Sequence, residues 1–245
     1  ATTFSGFCGK HDTILFSNIE NKDYSIHNKE QEFLFAYRAL CKEIIAKEEE
    51  KNMFEYLYKK NGVLINTMHG VSWIDAVKTG ISDLSTIKDL LDKGLQEKSF
   101  NLIETISLEL DGESKFSVSS IFHLEYDFEG KMVNVLVNIN ERVKPLFLTV
   151  FPQNGKTYVL FSYLKKDSQI YNFLSNQILS LNRKDQTDRI SLLITLYCEN
   201  FAYSPEKWES LDKKSKDEFM NLFQKTMFME KLQCMNLKPP INFFE

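Results

Sequence analysis

Phe116-Ser-Val-Ser-Ser-Ile-Phe-His-Leu-Glu-Tyr-Asp-Phe128 decides the fold class. Phe116, Val118, Phe122, Leu124, Tyr126 and Phe128 fall on one side of an extended chain, interrupted only by Ser120. That period of two belongs to a half-buried strand. The other side carries Ser117, Ser119, His123, Glu125 and Asp127, with Ile121 as its one apolar residue, and is expected to face water.

Similar runs lie on either side. Leu102, Ile106, Leu108 and Leu110 alternate toward Asp111-Gly112, a strong hairpin signal. After Glu129-Gly130, Val133, Val135, Val137 and Ile139 predict a further strand. Pro145 precedes Leu146 to Phe151, and Asn154-Gly155 predicts a hairpin into Thr157 to Leu164. These last two runs are apolar on both faces, which places them centrally or beneath helices on both sides. The expectation is an α+β fold with an antiparallel sheet of about five strands in the middle of the chain, flanked by helical N-terminal and C-terminal regions. It reads as one domain over 1–245, with a zinc-knuckle-like segment at 1–27, helices at 28–99, the sheet at 100–165 and helices at 166–245.

Asn28 to Asn61 predicts one long helix, or two with a break near Lys47 to Lys51. Asn28 and Gln31 have the spacing of a capping box, and Phe33, Leu34, Tyr37, Leu40, Cys41, Ile44 and Ile45 form one apolar stripe. Asn61-Gly62 closes it. A helix is expected from Ser72 and another from Asp83 to Lys98, and later ones start at Ser168, at Asp185 or Thr187, and at Ser204-Pro205. Ile241 to Phe244 is expected to tuck back onto the body.

The net charge of −4 removes the argument for a generally basic nucleic-acid binder, although a local basic patch stays open. No apolar run approaches the roughly 18 residues that span a bilayer, and no signal-peptide pattern opens the chain, so no membrane association is expected. Four scattered cysteines, Cys8, Cys41, Cys198 and Cys234, fit free thiols and a cytoplasmic location. The chain opens on Ala1, so residues upstream are expected.

The most chemically suggestive segment is Phe4 to Asp12, where Cys8 and His11 stand two residues apart at the start of a helical pattern. A Cys-x2-His pair there is the second half of a treble-clef or zinc-knuckle site, and zinc wants four donors. His27, Cys41 and His69 lack the spacing of a first pair. Three readings stay open: a buried thiol beside a hydrogen-bonded His in a tight turn, a zinc site completed by an upstream or partner segment, and a Cys–His nucleophile pair with no third group to orient it. His69 beside Gly70 is either catalytic or a loop histidine. Asp111 with Glu129-Gly-Lys131 has the letters of a PD-(D/E)xK nuclease, but Glu129 and Lys131 flank a turn, which reads as a solvated hairpin. Lys47-Glu-Glu-Glu-Lys51 is a solvated face or an acidic functional patch. Met227, Phe228, Met229 and Met235 form an adaptable binding surface, or else core or a dimer face.

Phe7-Cys-x2-His-Asp-x2-Leu-Phe-x2-Ile-Glu20 followed by Phe33-Leu-Phe-Ala-Tyr-Arg-Ala-Leu40 resembles a group of bacterial proteins. In these, a Cys-x2-Cys zinc ribbon like that of HNH nucleases precedes such a segment. Phe151 to Thr157 and Cys198 to Trp208 are also similar to that group. The resemblance implies that Cys8 and His11 are zinc ligands, that Asp12 orients His11, and that the nuclease residues lie mainly upstream. The function expected from it is the body of a bacterial zinc-containing, HNH-like protein associated with nucleic acid, in defence against mobile DNA, with no complete active site in this chain. The alternative is a non-enzymatic α+β interaction or scaffold domain that docks a protein partner through its helices and wet sheet face.

Overall fold

The structure is a computed structural model and describes residues 9–62, 72–136, 141–226 and 231–245. Helices α1 (Gly9–Glu20), α2 (Lys29–Asn61) and α3 (Trp73–Gln96) precede strands β1 (Ile103–Asp111), β2 (Phe116–Phe122), β3 (Leu146–Gln153) and β4 (Lys156–Leu164). After them come α4 (Ser168–Tyr171), a π-helical turn at Ser175–Leu179, α5 (Arg183–Tyr197), β5 (Phe201–Tyr203), α6 (Pro205–Ser210) and α7 (Lys213–Thr226). The fold is α+β, with a five-stranded antiparallel sheet in the order β1-β4-β3-β2-β5 and helices at both ends of the chain.

The Asn154-Gly155 turn forms as its sequence dictates. Both residues take positive φ, 53° and 80°, as a two-residue primed turn requires. Asp111-Gly112 does not make a hairpin, because β1 pairs with β4 and not with β2. The β3–β4 hairpin sits between β1 and β2, and residues 112–115 cross its tip. Three inter-strand gaps need about 14 Å, and the steps from Asp111 to Phe116 reach about 17 Å when extended. The crossing is pinned by Gly112 N–H donating to the Gly155 carbonyl (2.9 Å), Ser114 N–H to Thr157 Oγ1 (2.7 Å) and Thr157 Oγ1–H to the Gly112 carbonyl (2.7 Å).

β2 ends at Phe122 rather than Phe128. Its register pairs Ile121 with Phe147 and Phe122 with Leu146, so the residue opposite His123 would be Pro145. Proline has no N–H for a ladder and marks a strand's limit. Leu124, Tyr126 and Phe128 still enter the same core as Phe116, Val118 and Phe122. The strand expected at Val133 to Ile139 does not form over its described part, 133–136; just before it an isolated bridge joins Tyr126 and Met132. The remainder, 137–139, lies outside the described residues. The fifth strand is instead Phe201–Tyr203, paired with Phe116–Val118 on the edge of the sheet.

β3 and β4 occupy interior positions and are buried along nearly their whole length, as their two apolar faces require. One face of the sheet meets the C-terminal helices through Val118, Phe122, Leu148, Val150, Val159 and Phe161. The other face meets α1–α3. Ile121, Phe147 and Leu164 pack there against Phe33, Leu40, Ile44 and Leu84. The side of β2 expected to face water is therefore largely covered by α2, and Ile121 is the contact that covers it. Ser117 alone of that set is exposed, whereas Ser119, His123 and Glu125 are partly buried and Asp127 is buried.

α2 is one unbroken helix through Lys47 to Lys51, capped by Asn28, whose side chain accepts from Gln31 N–H, and closed by Gly62 in the left-handed region at φ 66°. Gln31 does not reach back to Asn28. Its side-chain amide donates to the carbonyls of Asn18 and Asp23 and accepts from Ser25 N–H, fastening the α1–α2 connection. α3 is also continuous where two helices were expected. α5 starts at Arg183 because Asn182 caps it, two residues before the expected Asp185. Ser204 caps α6 with Pro205 at its first position.

Candidate functional site

A cavity of about 290 Å³ lies near the C-terminal tail, and a larger one of about 520 Å³ opens at the C-terminal end of β2. Seven segments line the larger cleft, one of them the β2–β3 connection at Leu136. α2 contributes Glu43, Lys47 and Glu50, which share one face at i, i+4 and i+7. α3 contributes Trp73, Gly80 and Leu84, and β2 contributes Ser120 to Phe122 with His123 just past its end. Leu196, Tyr197 and Glu199 come from the end of α5, Phe223 and Thr226 from α7, and Lys231 from the segment after it.

The ladder's end at Phe122 sets the position of His123. Its Nε2 is buried and has no hydrogen-bond partner among the described residues. Burial, reinforced by the positive charge of Lys47, pulls the imidazole down to about 4 from its ordinary value of 6.5, so the ring is neutral at pH 7. A neutral histidine has one ring nitrogen that accepts.

Glu43 is pushed the other way. Burial raises its carboxyl to about 7, with Lys47 working against the shift and Glu199 and Glu50 adding to it. Burial also works against the charge of Lys47, but its hydrogen bond to Glu50 (2.9 Å) and the fields of Glu43, Glu50 and Glu199 outweigh this and hold its pKa above the ordinary value. Trp73 Nε1–H donates to the other Glu50 oxygen at 2.8 Å, so α3 fixes the Lys47–Glu50 pair in place. Across the cleft, Lys231 pairs with Glu125 at 3.3 Å and lies 4.9 Å from the Tyr197 ring centroid. Tyr197 stacks on Phe122 at 5.1 Å, and its hydroxyl accepts from Glu125 N–H at 3.4 Å. The cleft thus combines an aromatic wall, a neutral histidine and a carboxyl poised near neutrality.

Little of this was marked by a motif. Lys47 and Glu50 belong to the run Lys47 to Lys51, and the helix turns only that pair inward while Glu48 and Glu49 stay exposed. The alternation of Phe116 to Phe128 puts His123 on the face expected to be wet. The signal that could have located it was Pro145, which limits how far the strand can pair.

The sequence-derived metal candidates lie elsewhere. His11 is exposed in the first turn of α1, and Cys8 lies outside the described residues, as do His69, Met227, Phe228 and Met229. Met235 is buried core. Cys41 and Cys198 are buried free thiols raised by burial to about 11 and about 12, and Cys234 is a partly buried free thiol. No group of three or more His, Cys, Asp or Glu among the described residues could hold a metal ion. His11 and Cys8 together are two donors short of tetrahedral zinc. Asp111 ends β1, while Glu129 and Lys131 flank a turn held by Asp127 Oδ1, which accepts from both of their N–H groups at 2.9 Å. No helix among the described residues is long and apolar enough to cross a membrane.

No family model, curated protein or solved structure matches the chain.

Proposed function

We propose that this chain is a binding body whose cleft around His123 takes up a small molecule. The observation that carries the reading is a cavity of about 520 Å³ lined by a neutral His123 together with Glu43, Trp73 and Tyr197. Cavities of roughly 300–1,000 Å³ with mostly apolar walls and a few convergent polar groups are the usual form of small-molecule sites. The reading narrows the interaction-domain alternative. The sheet face once expected to dock a partner chain is covered by α2, and the cleft is what α2 leaves open.

Trp73 can report occupancy, since the sequence holds only two tryptophans and Trp208 lies on α6. In a W208F background, at least one of benzamidine, benzamide and benzoate is expected to change Trp73 emission saturably, and H123L is expected to abolish the change. No saturable response to any of the three would contradict the reading.

A second reading follows the resemblance at Cys8 and His11: the body of a bacterial zinc-containing, HNH-like protein acting on nucleic acid. The exposed position of His11 at the start of α1 supports it, because a ligand set from another segment can reach the ring. Two further donors must come from outside the described residues. Elemental analysis of protein carrying its natural upstream residues is expected to find about one zinc per chain, lost in H11A. Less than about a tenth of an equivalent would contradict it.

A further inference from the structure

A separate cavity of about 230 Å³ lies between α2 and the β3-β2-β5 edge of the sheet. It exists because the side chains beneath α2 become small there. Ile121 and Phe147 fill the gap further along β2 and β3, whereas the same face carries Ser117, Ser119, Thr149 and Ala202 toward β5. The register sets Ser119 opposite Thr149 and Ser117 opposite Ala202, and opposite residues of an antiparallel pair share a face. The roof is Phe35, Arg38 and Lys42, at i, i+3 and i+7 on one face of α2.

The chain carries a net charge of −4, yet no Asp or Glu lines this cavity among the described residues. Glu20 pairs with Arg38 at 2.6 Å, and the guanidinium lies 5.2 Å from the Phe16 ring centroid, which holds Arg38 at the rim with N–H groups to spare. Lys42 has no carboxylate partner among the described residues. Its ammonium donates to Asn200 Oδ1, and the Asn200 amide donates in turn to the Ser119 carbonyl at 2.6 Å, so the lysine is positioned but keeps two donors unspent. Burial and the charge of Arg38 both pull the Lys42 pKa below its ordinary value. The hydroxyls of Ser117, Ser119 and Thr149 have no hydrogen-bond partner among the described residues.

We infer that this cavity binds a small organic anion, whose carboxylate or phosphate head accepts from Lys42 Nζ, the spare N–H groups of Arg38 and the hydroxyls of Ser117 and Ser119. Phe35 and Phe151 stack at 5.0 Å between centroids and give the anion's apolar body a wall. A cation would meet Lys42 and Arg38. A neutral body would leave Lys42 half-buried without a counter-charge, which burial disfavours. The site shares no lining residue with the cleft at His123, so it stands or falls independently of that cleft.

Phenyl phosphate, benzoate and benzamide share a ring and differ in head group, so backbone amide shifts of the unmodified protein in Tris chloride at pH 7.5 test the assignment. At least one of the two anions is expected to shift Ser117, Ser119 and Ala202 saturably and to bind at least about tenfold more tightly than benzamide, and the tighter of the two names the head group. K42Q is expected to weaken that anion at least about tenfold, whereas K42R, which keeps the charge, is expected to hold it within about threefold. Benzamide binding as tightly as both anions would overturn the inference, as would an affinity unaltered in K42Q or a loss as large in K42R as in K42Q. Shifts confined to the surroundings of Trp73 and His123 would overturn it and leave the other cleft as the anion's site. No saturable shift with either anion at Ser117, Ser119 and Ala202 overturns it whatever binds at His123.

Discussion

The two ends of β2 are finished in opposite ways. At Phe116 the strand runs into rings: Phe243 lies 5.5 Å from Phe116, 5.6 Å from Phe201, 5.4 Å from Tyr203 and 6.0 Å from Phe219, centroid to centroid. The C-terminal segment closes over this end, with Phe243 N–H donating to Ser191 Oγ at 3.1 Å. At the other end the strand stops at Phe122, and beyond it stand His123 and a cleft edged by carboxylates and lysines. One end fills its space with aromatic carbon, even around the Tyr203 hydroxyl, which is buried there without a hydrogen-bond partner among the described residues. The other leaves a space open beside His123. Stability is concentrated at the first, and the second retains the features that a ligand would complete.

The largest expected effect lies at the packed end. Phe243→Ala removes the ring at the centre of the aromatic cluster and is expected to cost about 3–5 kcal/mol in denaturant unfolding. A loss below about 1 kcal/mol would erase the contrast between the ends.

At the cleft end, H123L is expected to stabilise the protein by about 1–3 kcal/mol, since it removes the buried unpaired nitrogen. The gain has a pH signature. The folded-state pKa of His123 lies below that of the unfolded chain, so the unfolded chain binds the extra proton, and stability is lost as pH falls from 6.5 toward about 4. The advantage of H123L should therefore widen over that window, and an advantage that shrinks on acidification would show that His123 is not buried neutral.

Glu43 has the opposite sign. Its pKa is raised when folded, so the folded state holds its proton more tightly and stability falls as pH rises from 4.5 to about 7. E43Q is expected to raise the Tm by about 2–4 °C at pH 8 and to leave it unchanged at pH 4. A variant less stable than the parent at pH 8 would mean that the carboxylate is stabilised by its surroundings. The smallest effect is expected from Trp73→Phe, which loses the bond to Glu50 at a cost of about 1 kcal/mol and should loosen α3 over the cleft, seen as faster amide exchange in the first turns of α3.

The contrast also marks where the sequence could be read. Alternation in Phe116 to Phe128 and the apolar faces of Leu146–Phe151 and Thr157–Leu164 placed the sheet, because burial leaves a period in the chain. Asn154-Gly155 was legible because positive φ selects those residues. Asp111-Gly112 is an equally strong hairpin signal, yet its backbone crosses a hairpin that comes later in the chain, and no local signal encodes that partner. Phe201–Tyr203 is a three-residue strand specified by its pairing with Phe116–Val118 rather than by its own pattern. The cleft was least legible, since its residues come from seven segments between Glu43 and Lys231 and only their meeting gives them a shared environment.

The most direct measurement is the ¹⁵N shift of the His123 ring, followed from pH 3.5 to 8 and then at pH 7.5 with the probe that changes Trp73 emission. A ring neutral down to about pH 4, whose nitrogen resonances move as that probe saturates the cleft, is the expected result. A ring that titrates near 6.5, or nitrogen resonances unmoved at saturation, would show that the end of β2 is not the binding site.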